Sequence, residues 1–220
     1  AELTTSLIQS DDRSPVFRLG SGRFGNALEF DGKGDFLKTN WPGVFGSQPV
    51  TVSFWVKPKG HSNFAGIVSW GTGKTITAES NQWKLVITPE QASPLGQLFR
   101  CSWGTSKRLD IPVTIPRDEW THLAVVYTGE SSGKKPALHF YINGIEHLPA
   151  TQKIPTPPRR PADLATAQNL MFGHPHDWPE DDPTFYHSFY RGSLDEVFII
   201  EGALTQEQIT RLYQENTYKP

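Results

Sequence analysis

The segment that decides the fold is RGSLDEVFIIEGALT, residues 191–205. If these residues form a strand, the alternation of side chains places Asp195 on the same face as the apolar residues Val197 and Ile199. An ionised carboxylate on a buried face is costly unless it accepts hydrogen bonds or binds a cation. The sequence therefore predicts one of two roles for Asp195, an acceptor for neighbouring backbone N–H groups or a metal ligand.

Alternation of apolar and polar residues predicts strands along most of the chain. Residues 50–57 alternate over their full length, and Pro58 ends the run because proline cannot donate to a sheet. Shorter runs at residues 67–70, 83–87 and 98–103 follow at spacings typical of hairpins. These segments predict an antiparallel sheet. Residues 120–127 are apolar on both faces, as in a central strand between stacked layers.

Two elements carry local signatures. Asn143-Gly144 separates two apolar runs, and both residue types tolerate the positive φ of a type I′ turn, which predicts a two-residue hairpin. Near the C-terminus, Thr205 with Gln208 forms a capping-box pattern, and Leu204 with Ile209 matches a hydrophobic staple. A helix is therefore predicted over about residues 206–214.

Composition limits the classes of protein to which the chain can belong. Its 220 residues suit a single all-β domain spanning residues 1–220. The net charge is −2 with acids and bases dispersed, so we expect no broad basic face and no nucleic-acid partner. No apolar run is long enough to cross a bilayer, so we expect no membrane insertion. The single cysteine, Cys101, excludes an intrachain disulfide and is predicted to be a packed residue.

Several motifs occur in a fixed order along the chain: FDGKGDF at residues 30–36, TVSFWVKP at 51–58, EWTHLAVVY at 119–127, YING at 141–144 and the GSLDEV…ALT ending. In this order, from about Arg23 to the C-terminus, the chain resembles the laminin G-like jelly-roll domains of the concanavalin A-like lectin and glucanase superfamily. The resemblance implies an all-β fold, a two-sheet antiparallel jelly-roll sandwich, with one short C-terminal helix.

The resemblance also implies a possible structural calcium ion at the edge where the first and last strands lie side by side. Antiparallel pairing of residues 28–30 with 194–197 is expected to bring the turn of Asp31 and Asp35 close to Asp195. Carboxylate oxygens are the ligands that calcium takes. The alternative is that Asp31 with the following glycine serves only the geometry of the turn.

Catalysis is a possibility to weigh because the superfamily includes glycoside hydrolases. Their E-x-D-x-x-E strand is absent from this chain, and the adjacent residues Asp195 and Glu196 must point to opposite faces of a strand. Retaining glycoside hydrolysis needs two carboxylates that flank the scissile bond about 5–5.5 Å apart, which residues on one face of a strand can supply. We therefore expect no enzyme activity.

The leading prediction is a noncatalytic carbohydrate-binding module, extracellular or periplasmic and part of a larger protein, that stacks sugar rings on exposed aromatic side chains. The aromatic candidates lie at strand ends or in loops: Trp70, Trp103, Trp178 and Tyr186. The alternative is a protein-interaction or adhesion domain without a glycan ligand, in which the same aromatics pack in the core.

A polar loop at residues 173–183 adds two further candidates for glycan binding, His174 and His176. With Asp177 they could also hold a transition metal, but the sequence offers no matching partner at recognisable spacing. Trp178 in the same loop is either pinned onto the domain as a lid or presented for stacking. A solvated acidic loop is the alternative for the whole segment.

Overall fold

The computed structural model describes residues 18–44, 48–60, 64–71, 83–90, 94–103, 107–129, 137–147, 168–174 and 189–217. Numbered in chain order, the strands are β1 (Arg18–Ser21), β2 (Asn26–Asp31), β3 (Leu37–Lys38), β4 (Val50–Pro58), β5 (Ala65–Gly71), β6 (Trp83–Ile87), β7 (Leu98–Trp103), β8 (Lys107–Pro112), β9 (Thr121–Tyr127), β10 (Leu138–Ile142), β11 (Ile145–His147), β12 (Gln168–Phe172) and β13 (Arg191–Ile200). One helix, α1 (Gln206–Glu215), follows them.

The strands form two antiparallel sheets, which confirms the predicted sandwich with a short C-terminal helix. The seven-stranded sheet has the order β1-β2-β13-β4-β9-β10-β11, and the six-stranded sheet has the order β3-β12-β5-β6-β7-β8. The β2–β13 pairing joins an early strand to the last one, with Leu28 opposite Leu194. The predicted neighbours β5, β6 and β7 pair in sequence order.

The core lies between the two sheets and takes one face from every strand except the exposed edge strands β1 and β11. In β4 the alternate residues Val52, Phe54 and Val56 are buried in it, as the period of two predicts. Cys101 is fully buried in the same core, which confirms the prediction of a packed residue. Burial, with Asp110 nearby, raises the pKa of its thiol well above the usual value, so the thiolate required for reactivity is disfavoured.

The local signatures predict their elements correctly. Asn143 and Gly144 both have positive φ, 50° and 78°, and join β10 to β11 in the predicted two-residue turn. The Thr205 side chain accepts from the N–H of Gln208, and the Gln208 side chain accepts from the N–H of Thr205, so the capping box is complete. The helix packs through Ile209 on the outer face of the seven-stranded sheet.

The prediction of which face carries Asp195 is wrong, because β13 contains a bulge. Asp195 pairs with Trp55 while Phe198 pairs with Ser53, so β13 has one more residue than β4 between these pairs. Glu196 has a φ of 49° at this point. One extra residue reverses the faces of everything beyond it. Val197 and Ile199 therefore face the core with Leu194, and Asp195 lies on the outer face.

Within the described residues, no helix has both the length and the apolar character required to cross a membrane.

Candidate functional site

The outer face of the six-stranded sheet carries a row of mainly polar and basic residues, with one methionine, that runs across all six strands. Strand register aligns Lys38, Met171, Ser69, Lys84, Ser102 and Arg108, which we call the basic row. The adjacent core-facing row contains Leu37, Phe172, Val68, Leu85, Cys101 and Leu109. Neighbouring residues of each strand point to opposite faces of the sheet. The core-facing row is therefore wholly apolar, and the outward-facing row contains no acidic residue.

The basic row is buried at its centre and open at its ends. Lys84 is only 8% exposed, and Ser69 and Ser102 beside it are also buried. Lys38 at one end is half-buried, and Arg108 at the other end has an exposed side chain. The β8 end is therefore the most exposed part of the row.

A fixed ion pair lies on the same face beside Arg108. Arg100 donates from Nε and Nη2 to the two carboxylate oxygens of Asp110, at 2.7 and 2.9 Å, across the β7–β8 ladder. Arg108 lies near the same carboxylate, with its Nε 3.6 Å from Oδ2. Two parallel hydrogen bonds hold a guanidinium and a carboxylate in one plane, so this pair presents rigid polar groups.

Phe64 completes this cluster from the segment just before β5. Its backbone has a φ of 45°, in the left-handed region that bulky residues rarely occupy. The Arg100 guanidinium carbon lies 5.3 Å from the centre of the half-buried ring. Backbone conformations of this kind cost about 1–3 kcal/mol and concentrate at ligand sites. We call Phe64, Arg100, Arg108 and Asp110 the β8 cluster.

Sequence reasoning did not select the β8 cluster, and it predicted no basic face. The structure differs because register gathers the bases Lys38, Lys84, Arg100 and Arg108, which are far apart in the sequence, onto one face. Alternation within residues 98–103 does place Arg100 on the opposite face of the strand from Cys101. It could not show which strand lies next to which.

The prediction that Trp70 stacks on a sugar is wrong, because its side chain is fully buried. Its ring lies 5.5 Å from that of Trp83 at an interplanar angle of 7°, and its Nε1 donates to the carbonyl of Val44 at 2.7 Å. Trp103 pairs with Trp83 through the backbone, and its side chain lies outside the described part of the structure. Trp178 and Tyr186 also lie outside the described residues.

The prediction for His174 is also wrong. The residue is only 3% exposed, and its ring lies 4.3 Å from that of Phe189. Its carbonyl accepts a hydrogen bond from the hydroxyl of Ser69. His174 therefore packs at the end of β12 rather than facing a ligand, and the second histidine, His176, lies outside the described residues.

Asp195 has the first of its two predicted roles, as a buried acceptor of backbone hydrogen bonds. Its Oδ2 accepts from the N–H groups of Arg23 and Phe24 at 2.6 and 3.0 Å, and its Oδ1 accepts from Glu196 at 2.9 Å. Arg23 and Phe24 lie in the turn between β1 and β2. The carboxylate thus ties that turn to the bulge of β13, which satisfies the buried charge.

The prediction that Asp195 shares a cation with Asp31 and Asp35 is wrong in its geometry. The β2–β13 register sets Asp31 opposite Arg191, which is four residues from Asp195. At the rise of a strand this is about 13 Å. Among the described residues, no group of three or more His, Cys, Asp or Glu is placed to hold a metal ion.

Asp31 and Asp35 do lie together at the end of β2. Asp31 Oδ1 accepts from the N–H of Lys33 at 2.8 Å, and Asp35 Oδ2 accepts from the N–H of Asp31 at 2.9 Å. Arg18 lies 3.8 Å from one carboxylate and 3.6 Å from the other. Partial burial raises the pKa of Asp31, but backbone hydrogen bonds and Arg18 outweigh it and hold the pKa below its usual value.

The fold and the sequence place the chain in a known class. The family model of the concanavalin A-like lectin/glucanases superfamily that describes laminin G-like domains matches residues 30–210. The chain belongs to this superfamily. No match was found among curated protein sequences.

Solved structures with the same fold include three informative neighbours. Domain 4 of AbnA, an extracellular arabinanase from Geobacillus stearothermophilus solved in complex with arabinotriose, has a TM-score of 0.64 and 22% identity, covering 96% of this chain and 87% of that domain. A SAP-like pentraxin from Limulus polyphemus has a TM-score of 0.59 and 17% identity, covering 88% and 84%. A mutant of the NanB sialidase from Streptococcus pneumoniae has a TM-score of 0.58 and 12% identity, covering 84% and 27%.

Proposed function

We propose that this chain is a noncatalytic carbohydrate-binding domain that holds a glycan on the outer face of its six-stranded sheet, at the β8 cluster. The observation that carries the proposal is the combination of a strained, half-buried Phe64 with the rigid Arg100–Asp110 pair on one solvent-accessible patch. Ligand sites commonly combine an aromatic surface with a few convergent polar groups.

The chemistry of the β8 cluster suits a sugar. A hydroxyl group both donates and accepts, and the cluster offers donors from Arg100 and Arg108 together with acceptor oxygens from Asp110. Phe64 supplies an apolar ring beside them, on which the C–H face of a sugar can rest. Because the ion pair is already fixed, little side-chain entropy is lost when a ligand binds.

The fold neighbours support this class of function without naming a ligand for this chain. One of them is a domain of an extracellular glycan-degrading enzyme and was solved with an oligosaccharide. The proposal extends to an extracellular or periplasmic location and to attachment to other domains of a larger protein. It assigns no catalytic residue, and the outward-facing pair Glu29 and Asp31 is engaged by Lys59 and Arg18 respectively.

The test is isothermal titration against a panel of plant and bacterial polysaccharides, with the wild type and Phe64→Ala. We expect at least one glycan to bind the wild type and to bind Phe64→Ala at least tenfold more weakly, with the melting temperature changed by only a few degrees. Phe24→Ala is the matched control, because Phe24 is also half-buried and also lies beside an arginine, Arg23, but on the other sheet. We expect it to bind as the wild type does.

Two results would overturn the proposal. If no glycan in the panel binds the wild type, a protein-interaction domain becomes the better reading. If a glycan binds but Phe64→Ala and Phe24→Ala both retain full affinity, the binding face lies elsewhere on the domain.

A calcium ion at the turn of Asp31 and Asp35 belongs to the same proposal. The two carboxylates are the residues that would hold it, and the ion would supply structural stabilisation only. Arg18 already forms an ion pair with each carboxylate, so calcium has to displace its guanidinium. We therefore expect calcium to raise the melting temperature of Arg18→Gln more than that of the wild type.

The size of the calcium effect follows from linkage. An ion that binds only the folded state stabilises it by about 2.7 kcal/mol at a hundredfold excess over Kd. Thermal unfolding with calcium and with chelator measures it, and Asp31→Asn is the variant that should lose the response. Identical melting curves for all three proteins with and without calcium would remove the ion from the proposal.

A further inference from the structure

We propose that the glycan taken by the outer face of the six-stranded sheet is anionic, a polysaccharide whose sugars carry carboxylates. The inference rests on the proposed function above and adds the chemical class of the ligand. The inference depends on the positively charged side chains that the strand pairing places on this face.

The described residues of this face are unevenly charged. Lys38, Lys84 and Arg108 belong to the basic row, and Arg100 lies one pair further along the strands. Among the described residues of the basic row and of the neighbouring row that contains Arg100, Asp110 is the one acidic residue. The whole chain has a net charge of −2, so this face is basic against an acidic background. Such a concentration of positive charge attracts an anionic ligand.

The two arginines of the β8 cluster have different tasks. The guanidinium of Arg100 forms a bidentate pair with the Asp110 carboxylate, with hydrogen bonds of 2.7 and 2.9 Å. Arg108 makes only a longer approach of 3.6 Å to the same carboxylate, and its side chain is 59% exposed. A guanidinium takes a carboxylate through two parallel hydrogen bonds. Arg108 is therefore the residue placed to take a carboxylate of the ligand.

The basic row extends from Arg108 across the whole width of the sheet. Five strand spacings separate Lys38 from Arg108, about 24 Å, which is longer than one sugar ring. Lys84 is buried between them, so the exposed guanidinium of Arg108 is the part of the row that can contact a ligand. The arrangement suits a polymer with repeated negative charges better than a single sugar.

The experiment compares two ligands that share one backbone. Polygalacturonate carries a carboxylate on every sugar, and its fully methyl-esterified form carries none. Isothermal titration with the wild-type chain is expected to give binding to polygalacturonate and at least tenfold weaker binding to the ester. Raising the ionic strength from about 0.01 to 0.15 M shortens the screening length from about 30 to about 8 Å, so the affinity for polygalacturonate should fall.

Two arginine variants locate the effect. Arg108→Gln should bind polygalacturonate about tenfold to a hundredfold more weakly, the range expected for a lost charge-assisted hydrogen bond. Arg108→Lys should recover only part of the loss, because lysine keeps the charge but not the fork. Arg211→Gln is the matched control, since Arg211 is an exposed, ion-paired arginine on α1, and it should bind as the wild type does.

The possible failures separate the inference from the proposed function. If a neutral arabinan or the methyl ester binds as tightly as polygalacturonate, the carbohydrate-binding function stands and the anionic ligand is wrong. If no polysaccharide binds, both are wrong. If dextran sulfate or double-stranded DNA binds with the same affinity and salt dependence as polygalacturonate, the face attracts polyanions in general and the assignment to carboxylated sugars is overturned.

Discussion

The outer face of the seven-stranded sheet is covered by α1, whereas the outer face of the six-stranded sheet exposes polar side chains at its β8 end. On the seven-stranded sheet, α1 packs its apolar stripe onto the strands, and Tyr213 stacks on Trp55 with ring centres 5.4 Å apart. Arg23, in the turn that Asp195 holds, lies over the same indole at 5.1 Å. On the six-stranded sheet, the accessible β8 end presents Arg108 and the Arg100–Asp110 pair.

This difference between the two outer faces suggests a division between stability and ligand binding. The outer face of the seven-stranded sheet, which α1 and aromatic stacking cover and which we call the sealed face, contributes stability. Substitutions there are expected to change the free energy of unfolding. The proposed function assigns ligand recognition to the face that exposes rigid polar groups, so substitutions there are expected to change the affinity for a glycan. The predictions below test this division from the largest expected effect to the smallest.

Trp70→Ala tests whether a tryptophan that the sequence assigns to the ligand belongs to the core. Because the ring is fully buried against Trp83, we expect the free energy of unfolding to fall by about 3–5 kcal/mol in urea titrations. Trp70→Phe, which keeps an aromatic ring but loses the bond to Val44, should cost less. Loss of glycan binding with full stability would instead place Trp70 in the ligand site.

His122 tests the sealed face through pH. Burial lowers the pKa of this histidine to about 4, below its usual 6.5, so the unfolded chain binds a proton that the folded one does not. The stabilisation is complete above about pH 6.5 and is lost as the pH falls toward 4. A shift of this size corresponds to about 3 kcal/mol.

The structural reason is that the folded state cannot satisfy a charged imidazole. The Nε2 of His122 bonds with the hydroxyl of Ser53 at 2.8 Å, while its Nδ1 has no hydrogen-bond partner among the described residues. Urea unfolding between pH 4 and 7 measures the effect, and His122→Gln should remove the steep part of the dependence. A wild-type curve parallel to that of the variant would contradict the burial of His122.

Asp195→Ala tests the tie between the turn and the bulge. Removal of the carboxylate leaves the N–H groups of Arg23, Phe24 and Glu196 without their acceptor, and we expect a loss of about 1–3 kcal/mol. Hydrogen exchange should show faster exchange at Arg23 and Phe24. Asp195→Asn keeps one carbonyl acceptor and should lose less, and equal losses in both variants would assign the effect to packing alone.

Thr205→Ala tests the cap of the helix that covers the sealed face. The side chain accepts from Gln208 N–H, so its removal should cost about 1 kcal/mol, measured by thermal unfolding. Thr205→Ser retains the acceptor and serves as the control. Glycan binding should be unaffected in both, and a change in affinity would connect the two faces that this structure keeps apart.

The elements that sequence patterns predicted correctly are those with a local cause. The turn at Asn143-Gly144 depends on two residues that tolerate positive φ, and the start of α1 depends on two side chains one turn apart. The core face of β4 follows from alternation along a single strand. None of these requires knowledge of a distant residue, so the amino-acid order alone determines them.

What the order of residues did not reveal are features that depend on a partner segment. The bulge at Glu196 can be recognised only from the pairing of β13 with β4, and it moved Asp195 to the outer face. Trp70 lies at a strand end, yet residues 43–44 cover it, where a Cβ on Gly43 would come within 2.3 Å of the ring.

The basic row shows the same limit most clearly. Lys38 and Met171 are separated by more than half the chain and become neighbours only because β3 pairs with β12. A strand's own alternation determines which residues share a face. The register between strands is determined by packing and hydrogen bonding across the whole sheet, so only the tertiary structure could bring four bases together on one surface.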